Sequence, residues 1–181
     1  GQKFGWERPN FFATDGMKQE DDWSFRRSKW FDAIKKECKN VKENVGLLDM
    51  TAFAKCRVKG PKAEEFLDKL VANKLPKKVG RINLCHALNT KGGVHSEFTI
   101  MREAEDSFYL VSAGAFQRLD HDWILKWMPN DGSVQFENLT NSTGVLVVSG
   151  PKARELMQRV SKDDFSNENF KWLSAKNVDI G

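Results

Sequence analysis

The chain has 181 residues, 40% hydrophobic and 30% charged, with a net charge of +4 from 29 basic and 25 acidic side chains. That balance, with 6 Trp and 13 Phe, suits one globular domain or two small intertwined lobes with a real core, and argues against bulk disorder. No apolar run approaches a membrane span, and the interleaved charges read as a solvated mixed surface rather than a nucleic-acid face. The three cysteines, Cys38, Cys56 and Cys85, are far apart and odd in number. They support neither a zinc site nor a disulfide framework, and free thiols in a reducing compartment fit them best.

Residues 1–30 show little periodicity but carry Phe4, Trp6, Phe11, Phe12, Trp23, Phe25 and Trp30. They read as an irregular arm packed onto a body by large rings, not as a secretory leader. A helix follows, with Asp32 as its expected N-cap, Ile34, Cys38, Val41 and Val45 at helical spacing, and Gly46 as its expected stop. Residues 47–50 are extended, and 53–59 read as a half-buried strand in which Lys55, Arg57 and Lys59 alternate with apolar or small positions. Gly60-Pro61 ends that strand, with Pro61 expected at the first position of a helix whose apolar face is Ala63, Phe66, Leu67, Leu70 and Val71.

Strands are predicted over 82–88, 94–102 and 107–112, forming an antiparallel meander. Its first connection is Asn89-Thr90-Lys91-Gly92-Gly93, where the glycines can take positive φ. A helix over 116–127 breaks off at Pro129-Asn130-Asp131-Gly132. Strands over 133–140 and 143–149 lead to Gly150-Pro151-Lys152-Ala153 and a helix through Val160. This joint repeats Gly60-Pro61-Lys62-Ala63. Strand–Gly–Pro–helix is a common joint, but the shared apolar positions that follow favour an internal duplication: two α+β lobes facing a cleft.

No GxGxxG, P-loop, HExxH or GxSxG motif is present. His86, His95 and His121 lie in different segments without a second ligand at metal spacing. The carboxylate in the most informative setting is Glu97, in a strand entered from the glycine hairpin. Alternation places it on the face of His95, Thr99 and Met101, opposite Phe98 and Ile100. That face is either a solvated sheet surface or the lining of a polar cleft.

Five stretches carry a resemblance: Gly5-Trp6-Glu7-Arg8-Pro9-Asn10-Phe11-Phe12, Ser24-Phe25-Arg26-Arg27-Ser28-Lys29-Trp30-Phe31, Val45-Gly46-Leu47-Leu48-Asp49-Met50-Thr51-Ala52-Phe53, Leu88 to Val94, and Val148 to Arg154. In these, and in their order, the chain resembles the folate-binding aminomethyltransferase family. That family comprises glycine-cleavage T-proteins and the C-terminal halves of dimethylglycine and sarcosine dehydrogenases, and the dehydrogenase branch is nearer. The resemblance implies an α+β fold of two related lobes with mainly antiparallel sheets and flanking helices, with 51–137 inserted between 1–50 and 138–181. It also implies that the chain is a fragment ending before the family's C-terminal barrel domain and inactive alone.

The function so implied is one-carbon transfer to tetrahydrofolate from an iminium. The iminium is made by an FAD domain of the same longer chain, in the mitochondrial matrix or the bacterial cytoplasm. Small molecules, not nucleic acid or membrane, are the expected partners. Glu97 falls where the family places its key acid, and Phe53, Leu84, Tyr109 and Val111 fall where it lines the folate pocket, although each is equally plausible as core. Ala113 falls where T-proteins present an Asn to the pterin, so that contact is expected to be lost. A non-catalytic regulatory or interaction module of the same superfamily is the alternative.

Overall fold

The computed structural model describes residues 1–3, 5–21 and 23–181; Phe4, assigned above to the aromatic arm, lies outside the described residues. In chain order the elements are β1 (Gln2–Lys3), β2 (Trp6–Glu7), α1 (Phe31–Glu43), β3 (Gly46–Asp49), β4 (Ala54–Lys59), α2 (Ala63–Leu70), β5 (Ile82–Leu88), β6 (Val94–Ala104), β7 (Ser107–Ser112), a 3-10 turn (Gly114–Phe116), α3 (Gln117–Trp127), β8 (Gln135–Asn138), β9 (Leu146–Ser149) and α4 (Ala153–Val160). Every strand pair is antiparallel. Two compact units emerge. One is Gly1–Asp49 with Leu146–Phe165 and Asp179–Gly181; the other is Met50–Val145 with Ser166–Val178.

The second unit holds a five-stranded sheet in the order β5-β6-β7-β4-β8. Alternation along β6 buries Ser96, Phe98, Ile100 and Arg102 on one face. Phe66, Leu67 and Leu70 of α2 and Ile124 of α3 pack there with Val58, Cys85, Phe108 and Leu110. Full burial of a side chain such as Leu67 or Phe98 is worth about 1.5–3 kcal/mol, so this layer supplies the unit's cohesion. The outer edge of β5 is occupied at both ends. Val71 bridges Ala87 and the Ala72 N–H bonds the His86 carbonyl, while Arg81 bridges Ser174 and the Ile82 N–H bonds the Leu173 carbonyl.

In the first unit β3 pairs with β9, and the short β1–β2 ladder precedes α1. The aromatic arm departs from expectation. Trp23 and Phe25 are fully exposed, while among the described residues Phe11 stacks on Trp30 at 6.4 Å and Arg27 lies over Phe31 at 4.4 Å. The helix limits also differ. α1 starts at Phe31 after Trp30, so Asp32 sits inside the first turn, where its charge complements the helix dipole instead of capping. Ala33 is its buried residue, whereas Cys38 and Val41 of the expected apolar stripe are exposed. The helix ends at Glu43, and Gly46 opens β3, where a Cβ would lie 2.5 Å from Val41 Cγ2. Close approach, not a left-handed stop, requires that glycine.

The two Gly-Pro-Lys-Ala joints match each other closely. Pro61 and Pro151 precede the helices rather than opening them. Each is the second residue of a turn closed by Ala63 N–H to Gly60 O at 2.9 Å or Ala153 N–H to Gly150 O at 3.1 Å, a position that suits the fixed φ of proline. Gly60 has φ +125° and Gly150 φ +132°; Lys62 and Lys152 share ψ 14° as N-caps, and each helix has eight residues. The Lys62 N–H bonds Ser133 O, just before β8, and the Lys152 N–H bonds Asn44 O, just before β3. β8 pairs with β4 and β3 with β9, so each unit repeats helix–strand against strand–turn–helix.

Candidate functional site

The hairpin into β6 is closed by Asn89, whose Oδ1 accepts the N–H groups of Lys91 and Gly93 at 2.9 and 3.1 Å, with Gly92 at φ +80°. Leu88 then pairs with Val94 but Ala87 with Ser96, so the ladder carries a one-residue bulge at His95. The expectation that His95 shares a face with Glu97 is therefore overturned. His95 stacks on Trp123 of α3 at 4.0 Å between ring centroids. Beyond the bulge, alternation is regular. Glu97 pairs with His86, Thr99 with both Leu84 and Val111, Met101 with both Ile82 and Tyr109, and Tyr109 with Arg57.

Cross-strand partners share a face. Glu97, Leu84, Val111 and Tyr109 thus lie together on the sheet face opposite α2 and α3. Phe53, just before β4, joins Glu97 and Val111 in lining a cavity of about 460 Å³, within the range of small-molecule sites. Thr99, Ala113 and Phe116 extend its wall, and Ser96, Ser112 and Asp120 give it a polar side. Every lining residue belongs to the second unit. Leu84 and Tyr109 share the sheet face without lining this cavity: Leu84 is half exposed on the edge strand.

The Glu97 side chain is 58% exposed, and its Oε2 lies 3.0 Å from His86 Nε2. His86 Nδ1 in turn lies 3.2 Å from Asn73 Oδ1. Asp120 is buried, and both of its oxygens are engaged, accepting the Ser96 and Ser112 hydroxyls at 2.5 Å each. Burial, and secondarily the Asp120 charge, pushes the Cys56 thiol up to about 12. Arg57 donates to Glu103 through Nε and Nη2 and to Glu137 through Nη1, and these bonds hold its guanidinium well above its usual value. Burial raises the Tyr109 phenol, aided by the Glu103 charge. Lys55, expected at an outward strand position, is fully buried and donates its Nζ to the Thr51 carbonyl at 2.7 Å.

The arrangement presents one solvent-reachable carboxylate at a concavity with apolar walls. Such a group can hold a cation against the sheet and accept a proton from it. Among the described residues no group of three His, Cys, Asp or Glu could hold a metal ion, and no helix is long and apolar enough to cross a membrane. Sequence reasoning missed two features of the site: the His86–Asn73 attachment and the buried Asp120 with its two serines. No pattern marks the first, because Asn73 reaches His86 from the irregular segment between α2 and β5. No periodicity marks the second, because Asp120 reads as an ordinary polar helix position.

The chain matches the GCVT N-terminal domain family over residues 1–181. It is 36% identical to mitochondrial dimethylglycine dehydrogenase of Mus musculus over 177 residues, 97% of this chain and 20% of that protein. It is 30% identical to the mitochondrial pyruvate dehydrogenase phosphatase regulatory subunit of the same species, covering 99% of this chain and 21% of that one. To sarcosine oxidase subunit alpha of Rhizobium meliloti it is 28% identical, over 93% of this chain and 18% of that protein. The chain thus spans only a small part of the curated relatives it matches. Its fold is that of the glycine cleavage system aminomethyltransferase T from Bartonella henselae, with a TM-score of 0.70 at 22% identity over 88% of this chain and 38% of that one. Matched along its whole length, the chain belongs to the GCVT N-terminal domain family.

Proposed function

We propose that this chain forms the folate-handling part of a flavin-linked N-methylglycine dehydrogenase of the dimethylglycine or sarcosine type. In that protein it captures a one-carbon unit onto tetrahydrofolate. The observation that carries the reading is Glu97, an exposed carboxylate at the cavity walled by Phe53 and Val111, on a sheet face that also holds Leu84 and Tyr109. The lining fits a flat heterocycle: apolar walls for its faces, and for its edge the Thr99 hydroxyl and the Ser112 oxygen, the latter as an acceptor because its hydrogen is given to Asp120. Ala113, also on the cavity wall, offers no side-chain hydrogen bond where T-proteins present an Asn.

Tetrahydrofolate supplies the nucleophilic amine when bound. Glu97 does two things for the transfer. Its negative charge opposes the positive charge of the iminium, and its oxygen accepts the amine proton released as the new C–N bond forms. Tyr109 and Leu84 extend the same face as an apolar bed. The FAD that generates the iminium belongs to a separate domain of the longer chain, and relatives named as mitochondrial favour the matrix as its location in eukaryotes. The lobe division 51–137 within 1–50 and 138–181 is part of this proposal.

Glu97→Gln in the full-length protein tests the reading, because it keeps shape and removes charge. Methylenetetrahydrofolate yield should fall by about a hundredfold or more, while amine oxidation continues and formaldehyde is released. An unchanged folate yield overturns the assignment.

A further inference from the structure

The contact between His86 and Glu97 has a third member that settles where hydrogens must sit. Asn73 Oδ1 accepts the backbone N–H of His86 at 2.9 Å. An amide nitrogen could not accept that bond, so the atom is the carbonyl oxygen. The same oxygen lies 3.2 Å from His86 Nδ1, which must therefore carry a hydrogen. A neutral imidazole has only one N–H. Nε2 would then point a lone pair at Glu97 Oε2, 3.0 Å away, and an ionised carboxylate has no hydrogen to offer. The contact is attractive only if one further proton lies between Nε2 and Oε2.

We propose that His86 is a positioning residue for Glu97: held by Asn73 with Nδ1 protonated, it shares one proton with the carboxylate and thereby sets its orientation and its charge. This rests on the reading of Glu97 as the acid of the site. With the shared proton present, the pair is an imidazolium beside a carboxylate and has no net charge. Without it, the pair carries one negative charge, and the Nε2 lone pair repels Oε2. During transfer, the proton released from the amine passes to Oε1, the Glu97 oxygen that does not face Nε2, and leaves from there to water, since the side chain is more than half exposed. The shared proton stays between Nε2 and Oε2 throughout, so the orientation of the carboxylate is kept. Among the described residues, the titratable side chain meeting His86 from β6 is Glu97. The 71–75 segment meets it with Asn73, and the neighbouring Lys74 turns its carbonyl to Asn83 and Cys85.

The test is the proton distribution on the ring, read from long-range ¹H–¹⁵N spectra of the 181-residue chain labelled at histidine. The His86 signal is assigned by its loss in His86→Gln. In the wild type, the neutral His86 ring should be the Nδ1–H tautomer. Asn73→Ala should convert the neutral form to Nε2–H, and Glu97→Gln should move the Nε2 resonance. A neutral wild-type ring in the Nε2–H form, or an Nε2 resonance identical in all three proteins, overturns the proposal. In the full-length protein, His86→Gln keeps an N–H donor toward Glu97 but has no proton to share. It should lower transfer by about tenfold to a hundredfold and flatten its pH profile, and an unaltered profile overturns the positioning role. Should Glu97→Gln leave folate yield intact, the functional reading of Glu97 falls on its own, and the spectra still decide whether the pair shares a proton.

Discussion

Replacing Gly150 or Gly60 by Ala probes the repeated joint directly. Both sit at φ values that side chains rarely adopt, +132° and +125°. A Cβ at Gly150 would lie 2.4 Å from Asn44 O and 2.8 Å from Val41 O; at Gly60 it would lie 2.4 Å from Ser133 O. These are backbone atoms, and Asn44 O and Ser133 O also accept the Lys152 and Lys62 N–H groups, so neither can withdraw without breaking a bond. Backbone strain of about 1–3 kcal/mol adds to overpacking of about 1–3 kcal/mol. At roughly 2–4 °C per kcal/mol for a chain of this size, each variant should melt roughly 5–20 °C lower. Gly16→Ala is the control: φ is +79° but nothing lies within 4 Å of the added Cβ. It isolates the conformational cost, about 1–2 kcal/mol. Thermal melts followed by circular dichroism decide the matter. A Gly60→Ala or Gly150→Ala protein no less stable than Gly16→Ala would refute the steric argument and the equivalence of the joints.

Two further outcomes follow from buried titratable groups. Burial lowers the His121 pKa against the weaker opposing charges of Asp120 and Asp122. Its contribution to stability is therefore complete above the unfolded value of about 6.5 and is lost as pH falls through the lower folded value. Urea midpoints should drop from pH 7 to 5, and His121→Gln should lessen the drop; an equal drop in the variant would exclude His121 as its source. Burial also raises Cys56 to about 12 and Cys85 to about 11, whereas Cys38 is exposed. An alkylating reagent near pH 8 should label Cys38 alone in the folded chain and all three after denaturation, as read by mass spectrometry. Rapid labelling of Cys56 or Cys85 in the folded state would contradict the burial described here.

The meander was legible because its residues obey a period of two and its first turn carries Gly92-Gly93. Predicted strands 82–88 and 107–112 coincide with β5 and β7. Alternation also separated Glu97 from Phe98 and Ile100. It failed one residue earlier, at the bulge. An unbulged hairpin would pair His86 with Ser96, whereas the shifted ladder pairs it with Glu97. The proton-sharing contact was thus hidden by a single inserted residue, which no composition or periodicity announces. The arm failed for a different reason. Large rings imply burial only where a surface exists to receive them, and Trp23 and Phe25 meet none among the described residues. Lys55 was read from its charge, but its stem lies in a buried strand and its ammonium is satisfied by Thr51.

The occupied margin of β5 bears on how this protein keeps to itself. A sheet ending in an open strand invites another chain to continue the ladder, the usual beginning of aggregation. Here the invitation is withdrawn by parts that are not strands. Near one end the Asn73 side chain takes the His86 N–H, and the Ala72 N–H takes the His86 carbonyl; at the other, Leu173 and Ser174 take the places a neighbouring strand would fill. The residue that orders the imidazole beside Glu97 therefore also works as a stopper on a self-templating surface. Loss of Asn73 would be felt in solubility as well as in proton chemistry.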